Sequence, residues 1–268
     1  MSYVRLMVVQ ELDPALDDRL RIACGLAHKL GSELVGITSV DLLDDFSYDK
    51  VIAPGLFVEH RQKVEARARA AEETFRSNAR AWQLDSGWRV SLARRLEEFV
   101  AAEARSVDLV VAGVARASDV NPADLIMSVG RPVLVVPPEA EELRFKTAIV
   151  AWKETRESRR AVADALPLLR AYETVHVIEI AAKDEMANAR THVDDVADWL
   201  KRQGISSLPS VRETAGETSI ELAERAFIEG ADLIVAGAYG HSRMREWVLG
   251  GVTRDLLTRI PCCALLSR

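Results

Sequence analysis

The sequence has little of what marks secreted, membrane-spanning or metal-binding proteins. It holds three cysteines in 268 residues, Cys24 and the adjacent pair Cys262 and Cys263, without the spacing of a zinc site or a disulfide framework. The opening residues MSYVRLMVVQELD lack the apolar segment of a signal peptide, and no apolar run approaches the roughly 18 residues of a membrane span. We therefore expect a cytoplasmic protein with reduced thiols and no membrane partner.

The sequence also has no excess of positive charge and few aromatic residues. The chain has 35 Lys and Arg against 41 Asp and Glu, a net charge of −6, which argues against broad binding to nucleic acid. Aromatic residues make up 6% and hydrophobic residues 49%, so the core is expected to consist of Val, Leu, Ile and Ala. The five histidines show no ligand spacing, and we expect no protein metal site.

What the sequence does have is an internal repeat. VDLVVAGVA (107–115) returns as ADLIVAGAY (231–239), offset by 231 − 107 = 124 residues. Each copy is followed by an apolar run after a proline, and each half begins with an apolar run that leads into a helical pattern. These runs are RPVLVVPP (131–138), IPCCALLS (260–267), VRLMVV (4–9) and KTAIVAW (146–152).

The apolar runs do not alternate with polar residues, which is typical of parallel strands buried on both faces. Alternation with helical patterns predicts βαβ units and therefore an α/β fold of two tandem doubly wound parallel-sheet domains, 1–140 and 145–268. Gly31, Gly204 and Gly230 are expected to end helices, and Thr218 with Glu221 has capping-box spacing. In the second half we predict strands at 146–152, 174–181, 208–213, 232–237 and 262–267, and helices at 157–171, 187–203, 218–229 and 251–258.

A glycine-rich segment follows the fourth predicted strand of the second half. Gly237 and Gly240 would let the backbone turn sharply beside a ligand, at the edge where parallel sheets bind ligands. Gly250 and Gly251 open the last predicted helix, whose N-terminus favours negative charge, and Thr253 adds a hydroxyl group. The pattern suits a di- or triphosphate, but on spacing alone the glycines could equally serve only the turns. It is not a Walker A motif, because no Lys-Ser/Thr pair follows.

Other reactive side chains are assigned no catalytic role. His241 lies beside a loop glycine, where it could contact a phosphate or ribose or be an ordinary surface residue. Cys262 and Cys263 could sense oxidants, but their place in a predicted buried strand favours inert thiols. No Ser-His-Asp or Cys-His arrangement has a recognisable nucleophile context.

The segment GAYGHSRMREWVLGGVTRDLLTRIPCCALL (237–266) resembles the C-terminal signature of the universal stress protein family, G-x2-G-x9-G followed by Ser or Thr. Gly237, Gly240 and Gly250 match its glycines, and the resemblance extends to AIVAWKETRESRRAVADAL (148–166) and to the order of elements in both halves. It implies an adenine nucleotide alpha hydrolase-like fold with strand order 3-2-1-4-5. It also implies an internal pseudo-dimer with 132–136 beside 262–266, and leaves further homodimerisation open.

The resemblance implies a role in stress survival, mostly without a defined reaction, and binding of ATP or a related adenine nucleotide, with Mg2+ for a triphosphate, in the second half. The implied contacts are Gly237, Gly240, His241, Gly250, Gly251, Thr253, Lys153 and Ile180. Two of these depart from the family pattern, which has Ser or Thr at position 251 and Asp at position 153. The first half keeps only Gly113 of the loop glycines, so we expect it to be a degenerate copy kept for packing.

Three hypotheses on function stay open. The first is a regulatory module that binds an adenine nucleotide without catalysis. The second is a weak ATPase in which Lys153 and the loop arginines Arg243, Arg245 and Arg254 stabilise phosphoryl charge. The third is a nucleotide-free module for unknown protein partners, which Gly251 and Lys153 favour.

Overall fold

The computed structural model describes residues 2–10, 12, 17–42, 54–114, 121–138, 140, 142–238 and 262–268. The chain divides into two compact units, which we call the first unit (Tyr3–Arg131) and the second unit (Pro132–Arg268). This division by compactness falls one strand before the predicted end of the first repeat at residue 140, and the repeat boundary itself stays a prediction. In the part of the chain that the structure describes, no helix is long and apolar enough to cross a membrane.

The first unit is a four-stranded parallel sheet with helices. Its strands are β1 (Arg5–Val9), β2 (Glu33–Ser39), β3 (Ser86–Ser91) and β4 (Leu109–Gly113), and its helices are α1 (Asp17–Leu30), α2 (Pro54–Ala81), α3 (Leu96–Glu103) and α4 (Pro122–Ser128). The strands lie in the order β3-β2-β1-β4 and pair in parallel. The long helix α2 accounts for the extra length between the second and third strands of this half.

The second unit has the complete strand order that the resemblance implied. Its strands are β5 (Val133–Val136), β6 (Thr147–Ala151), β7 (Thr174–Ala181), β8 (Ser207–Glu213), β9 (Leu233–Gly237) and β10 (Cys263–Ser267), and its helices are α5 (Arg156–Leu169), α6 (Met186–Arg202) and α7 (Thr218–Glu229). The order β8-β7-β6-β9-β10, parallel throughout, is 3-2-1-4-5 and confirms the fold class. The predicted helix at 251–258 lies outside the described residues.

Strand β5 comes from the first sequence repeat but pairs inside the second unit. It runs antiparallel to β10, with Val135 opposite Ala264 and Val133 opposite Leu266. This confirms the predicted pairing of 132–136 with 262–266. The last strand of each repeat is therefore the hydrogen-bonded neighbour of the last strand of the other repeat.

The strands form the core because their apolar residues are buried on both faces of the sheet. All three cysteines are buried there and none forms a disulfide. Burial raises the pKa of the Cys262 thiol to about 12 and raises the pKa of Cys263 as well. Thiols that stay protonated are poor nucleophiles, so these values support the interpretation of Cys262 and Cys263 as inert core residues.

The aspartate inside each copy of the repeat ties two strands together. In the first unit, Asp108 Oδ2 accepts hydrogen bonds from the backbone N–H groups of Val4 (2.7 Å) and Arg5 (3.1 Å). In the second unit, Asp232 Oδ2 accepts one from the backbone N–H of Arg144 (2.6 Å). Each carboxylate thus links the start of the fourth strand of its repeat to the segment entering the first strand.

The capping-box prediction for α7 was wrong in its contacts. The helix begins at Thr218, and the residue before it, Glu217, makes no side-chain cap. Glu221 Oε1 instead accepts the backbone N–H groups of Ala215 (2.7 Å) and Gly216 (2.8 Å), because the preceding loop folds back over the first turn. The helix ends at Gly230 with φ of 62°, and Gly31 and Gly204 also have positive φ, as predicted for helix-terminating glycines.

Candidate functional site

Three of the residues assigned to the site from sequence lie at one edge of the second unit. The parallel strands β6, β7 and β9 all end at this carboxyl edge, where open α/β sheets bind ligands. Gly237 is the last residue of β9, Ile180 is the second-last of β7, and Lys153 follows β6 by two residues. The structure therefore brings Gly237, Ile180 and Lys153 to the same edge of the sheet.

The remaining assigned residues belong to the loop and helix after β9. Gly240, His241, Gly250, Gly251 and Thr253 lie outside the described residues, as do the loop arginines. Their assignment to a phosphate site stays a prediction.

The turn after β6 places Lys153 at the surface. The backbone N–H of Trp152 donates to the carbonyl of Ile178 (2.8 Å), which continues the β6–β7 pairing by one residue. The backbone then turns tightly, with the N–H of Thr155 bonded to the carbonyl of Lys153 (2.7 Å). Thr155 caps α5, since its Oγ1 accepts the N–H of Ser158 (3.2 Å). Lys153 is exposed on this turn, so its ammonium group is available to an anion at the edge.

Gly237 is required by packing against α5. A Cβ atom at this position would lie 2.6 Å from the backbone carbon of Glu157 and closer still to the backbone nitrogen of Ser158. The first turn of α5 therefore packs directly on the end of β9. This contact explains the glycine without a ligand, and the role of Gly237 in binding one stays a prediction.

A carboxylate already occupies the N-terminal turn of α5. Glu157 is buried and its Oε1 accepts a hydrogen bond from Arg156 Nε (2.5 Å). Burial by itself would raise the pKa of Glu157, but the hydrogen bond and charge of Arg156 outweigh it and hold the pKa below its ordinary value. The negative charge complements the helix dipole, so this helix end is not suited to hold a phosphate group.

A buried polar group at the same edge was missed from sequence. Ala151 pairs with Ile178, so the next residues, Trp152 and Glu179, are cross-strand neighbours. Glu179 is buried and accepts from His192 Nδ1 of α6 at 3.1 Å. Burial raises the pKa of Glu179, although the hydrogen bond and charge of His192 and the charge of Lys153 act to lower it. A glutamate inside the apolar run TVHVIEIA was the available signal.

Trp152 adds an unsatisfied donor to this group. The side chain is buried, and its Nε1 has no hydrogen-bond partner among the described residues. A buried N–H group without a partner is costly and calls for water or a ligand atom.

The corresponding edge of the first unit is arranged differently. A Cβ atom on Gly113, the counterpart of Gly237, would lie 3.1 Å from the guanidinium carbon of the buried Arg19 on α1. Gln10 and Thr38 stand where the second unit has Trp152 and Glu179, and Gln10 likewise donates its backbone N–H to Ile37 at 2.8 Å. At these two positions the side chains of the two repeats have thus diverged.

Metal and catalytic sites were not expected from sequence. Among the residues that the structure describes, no group of three or more His, Cys, Asp and Glu side chains is arranged to hold a metal ion. The edge of the second unit offers a surface ammonium group, a buried carboxylate–imidazole pair and an indole N–H. These groups can bind an anion and hydrogen-bonding groups of a ligand.

The comparisons with known proteins agree with this architecture. Residues 144–268 match the model of the universal stress protein family. Over its whole length the chain is similar to the crystal structure of a universal stress protein from Archaeoglobus fulgidus DSM 4304, with a TM-score of 0.75, 12% identity and 98% of each chain covered. A functionally unknown protein from Pseudomonas aeruginosa PAO1 has a TM-score of 0.66 at 15% identity, over 99% of this chain and 92% of that one. A search of curated proteins found no match.

At these identities the structural matches establish the fold alone, and the family match is confined to residues 144–268. The described strand order 3-2-1-4-5 of that half and the repeat that precedes it agree with both. Residues 144–268, the second of the two repeats, belong to the universal stress protein family.

Proposed function

We propose that the chain is a regulatory protein of the stress response that binds ATP or a related adenine nucleotide at the carboxyl edge of its second unit. The observation that carries this proposal is the convergence of Lys153, Ile180 and Gly237 at one edge of a parallel sheet. Ligands of open α/β folds bind at such an edge, near the point where the strand order reverses between β6 and β9.

The described residues fit a nucleotide in three respects. The exposed ammonium group of Lys153 suits an anionic group, and the unpaired Nε1 of Trp152 suits a hydrogen-bond acceptor that reaches the buried side of the edge. The half-buried Ile180 provides an apolar contact for a base. A bound triphosphate would bring Mg2+ and a transferable phosphoryl group, whereas the residues of this edge would only hold and orient it.

A nucleotide-free interaction module is the competing function. Two observations favour it: a cation stands at position 153, where the resemblance implies Asp, and the buried Glu157 fills the N-terminal turn of α5 with negative charge. Weak ATP hydrolysis has less support from the described residues, because the carboxylate and the imidazole at this edge, Glu179 and His192, are hydrogen-bonded to each other.

Calorimetric titration of the full-length protein with ATP and ADP, with and without Mg2+, tests the proposal. We expect saturable binding that Lys153→Ala weakens about tenfold, since a lost charge-assisted contact costs about 1.4 kcal/mol. Lys146→Ala is the matched control, because Lys146 is an exposed lysine at the opposite end of β6. It should leave the affinity unchanged.

Each outcome of the titration decides between the functions. No heat at millimolar nucleotide would overturn the nucleotide proposal and leave the interaction module. Equal weakening by the two lysine substitutions would place the nucleotide elsewhere than at this edge. Steady phosphate release that is lost in Lys153→Ala would establish the ATPase instead.

A further inference from the structure

Helix α7 carries large apolar side chains on the face that points away from its own unit. Ile220, Phe227 and Ile228 are 50%, 83% and 68% exposed. Their spacing of seven and eight residues puts them on one side of the helix. The opposite side holds the buried residues Ser219, Leu222 and Ala226. We call Ile220, Phe227 and Ile228 the outer face of α7.

The first repeat shows that the fold does not need apolar residues there. Its third helix and the turn that follows bury Val100 and Ala104, with the same spacing as Leu222 and Ala226. Aligning the two helices on these buried positions (222 − 100 = 122) leaves three positions of the first repeat opposite the outer face. They are Glu98, Arg105 and Ser106, all exposed.

An exposed apolar residue by itself is ordinary, but a cluster on one helix face marks an interaction surface. Both repeats have a helix at this place in the fold, and the first repeat has polar residues at the three positions of the outer face. The apolar residues of the outer face therefore serve something other than the folding of the unit.

Charge around the outer face indicates what binds it. Glu217 and Glu224 are exposed on the same side of the helix, and among the described residues neither forms an ion pair. The arginine of the helix, Arg225, is paired with Glu229. A surface that is apolar with free carboxylates fits a partner that is apolar with Lys or Arg beside it.

The same charges disfavour two other occupants. A second copy of the chain in a two-fold contact would bring the same patch against itself, with Glu217 and Glu224 of both copies close together. An anionic membrane surface would repel these carboxylates.

We propose that the outer face of α7 is a docking site for a basic amphipathic helix of a partner protein. Three apolar side chains make a small interface, so binding is weak and reversible, in the manner of a signalling contact. None of these side chains belongs to the residues assigned to the nucleotide site, and the inference does not depend on nucleotide binding.

The test uses two synthetic helical peptides of about 18 residues, long enough to form a helix, with the same leucine stripe. One has lysines beside the stripe and the other has glutamates. Titrated into the full-length protein and followed by fluorescence anisotropy, the lysine peptide should bind with one peptide per chain, and the glutamate peptide should not bind. The variant Ile220→Glu/Phe227→Arg/Ile228→Ser carries the residues of the first repeat and should weaken binding at least about tenfold.

Two further variants make the test specific. Glu217→Lys/Glu224→Lys should reverse the preference, so that the glutamate peptide binds and the lysine peptide does not. Val58→Ser removes an exposed apolar side chain from helix α2 of the first unit and should leave binding unchanged. If the triple variant does not fold, the charge reversal still decides the question.

Several results would overturn the proposal. They are failure of the wild type to bind the lysine peptide, equal binding by the variants, and preference unaffected by charge reversal. Sedimentation that finds a wild-type dimer broken by the triple variant would make a second copy the occupant. Strong destabilisation by the charge reversal or by Phe227→Arg alone would show that the chain's own residues cover the face.

Discussion

At the scale of single residues, one glycine of the family signature is required by packing within the fold, whether or not a ligand binds. Gly237 ends β9 with α5 packed on its Cα, and its counterpart Gly113 ends β4 beside the guanidinium group of Arg19. Backbone atoms of a helix cannot move aside without shifting the whole helix, whereas the end of an arginine side chain can. The same glycine in the two repeats therefore differs in how strictly it is required.

Substituting alanine at both positions measures this difference. We expect Gly237→Ala to lower the free energy of unfolding by about 3 kcal/mol or to prevent folding, because α5 must move to admit the methyl group. Gly113→Ala should cost less than about 1 kcal/mol, because Arg19 gives way by a few tenths of an ångström. Urea unfolding without nucleotide is the measurement. Equal losses at the two positions would contradict the packing explanation.

At the scale of elements, α7 is held to its unit mainly at its N-terminal turn and by two buried apolar side chains. Glu221 ties the preceding loop to the helix through two hydrogen bonds from backbone N–H groups, and Leu222 and Ala226 pack inward. The outer face adds nothing to this attachment within the described residues. The stability of the helix therefore depends on the half-buried Glu221.

Removing the carboxylate of Glu221 tests the attachment. Glu221→Ala should cost about 1 kcal/mol, because two charge-assisted hydrogen bonds at a solvent-exposed site are lost. Glu221→Gln keeps an acceptor oxygen and should cost about half as much. Hydrogen exchange of α7 amides and urea unfolding check both variants. A loss in Glu221→Ala no larger than in the control Glu224→Ala would contradict the role of the loop contact.

The order of strands and helices could be predicted from the sequence because each of these elements has a local sequence pattern. The predicted bounds of β6 to β9 fall within one residue of the observed bounds, and the glycines Gly204 and Gly230 predicted helix ends. Contacts that depend on tertiary register were not predictable in this way. The partner of Glu221 is a folded-back loop, and the Glu179–His192 bond joins a strand to a helix that only packing brings together.

The site was predictable to the same extent. Gly237, Lys153 and Ile180 were assigned to one edge, and parallel strand pairing places them there. Trp152 ends the predicted strand 146–152, but the missing partner of its indole N–H was not predictable from sequence. The burial of Glu157 was not predicted either, because nothing in the sequence shows that this glutamate faces inward at the start of α5.

At the scale of the whole molecule, each repeat has a strand-linking aspartate, and the two aspartates lie in different environments. Asp108 is half-buried and accepts two backbone N–H groups. Asp232 is buried, and burial raises its pKa although the hydrogen bonds of the Arg144 segment act to lower it. Tyr172 lies close to Asp232, and burial, reinforced by the charge of Asp232, raises the tyrosine pKa well above its ordinary value. Ionisation of Asp232 therefore costs more in the folded second unit than it does in water.

This difference predicts a specific dependence of global stability on pH. Because the pKa of Asp232 is raised in the folded protein, the folded state holds its proton more tightly than the unfolded state. The stability that this residue contributes is therefore full below the ordinary Asp pKa of about 4 and is lost as pH rises through the higher folded value. Asp232→Asn cannot ionise, so its stability relative to the wild type should rise as pH increases above about 4.

The matched substitution in the first repeat separates this charge effect from the hydrogen bonds. Asp108→Asn replaces a carboxylate that accepts two N–H groups by a weaker amide acceptor, so it should lose about 1 kcal/mol at neutral pH. Urea unfolding of the three proteins at several pH values is the measurement, with two transitions assigned to the two units if they unfold separately. Glu179 also has a raised pKa, but it is present in both proteins, so its contribution to the pH dependence cancels in the difference between Asp232→Asn and the wild type. A difference that stays constant with pH would show that Asp232 does not carry the buried charge.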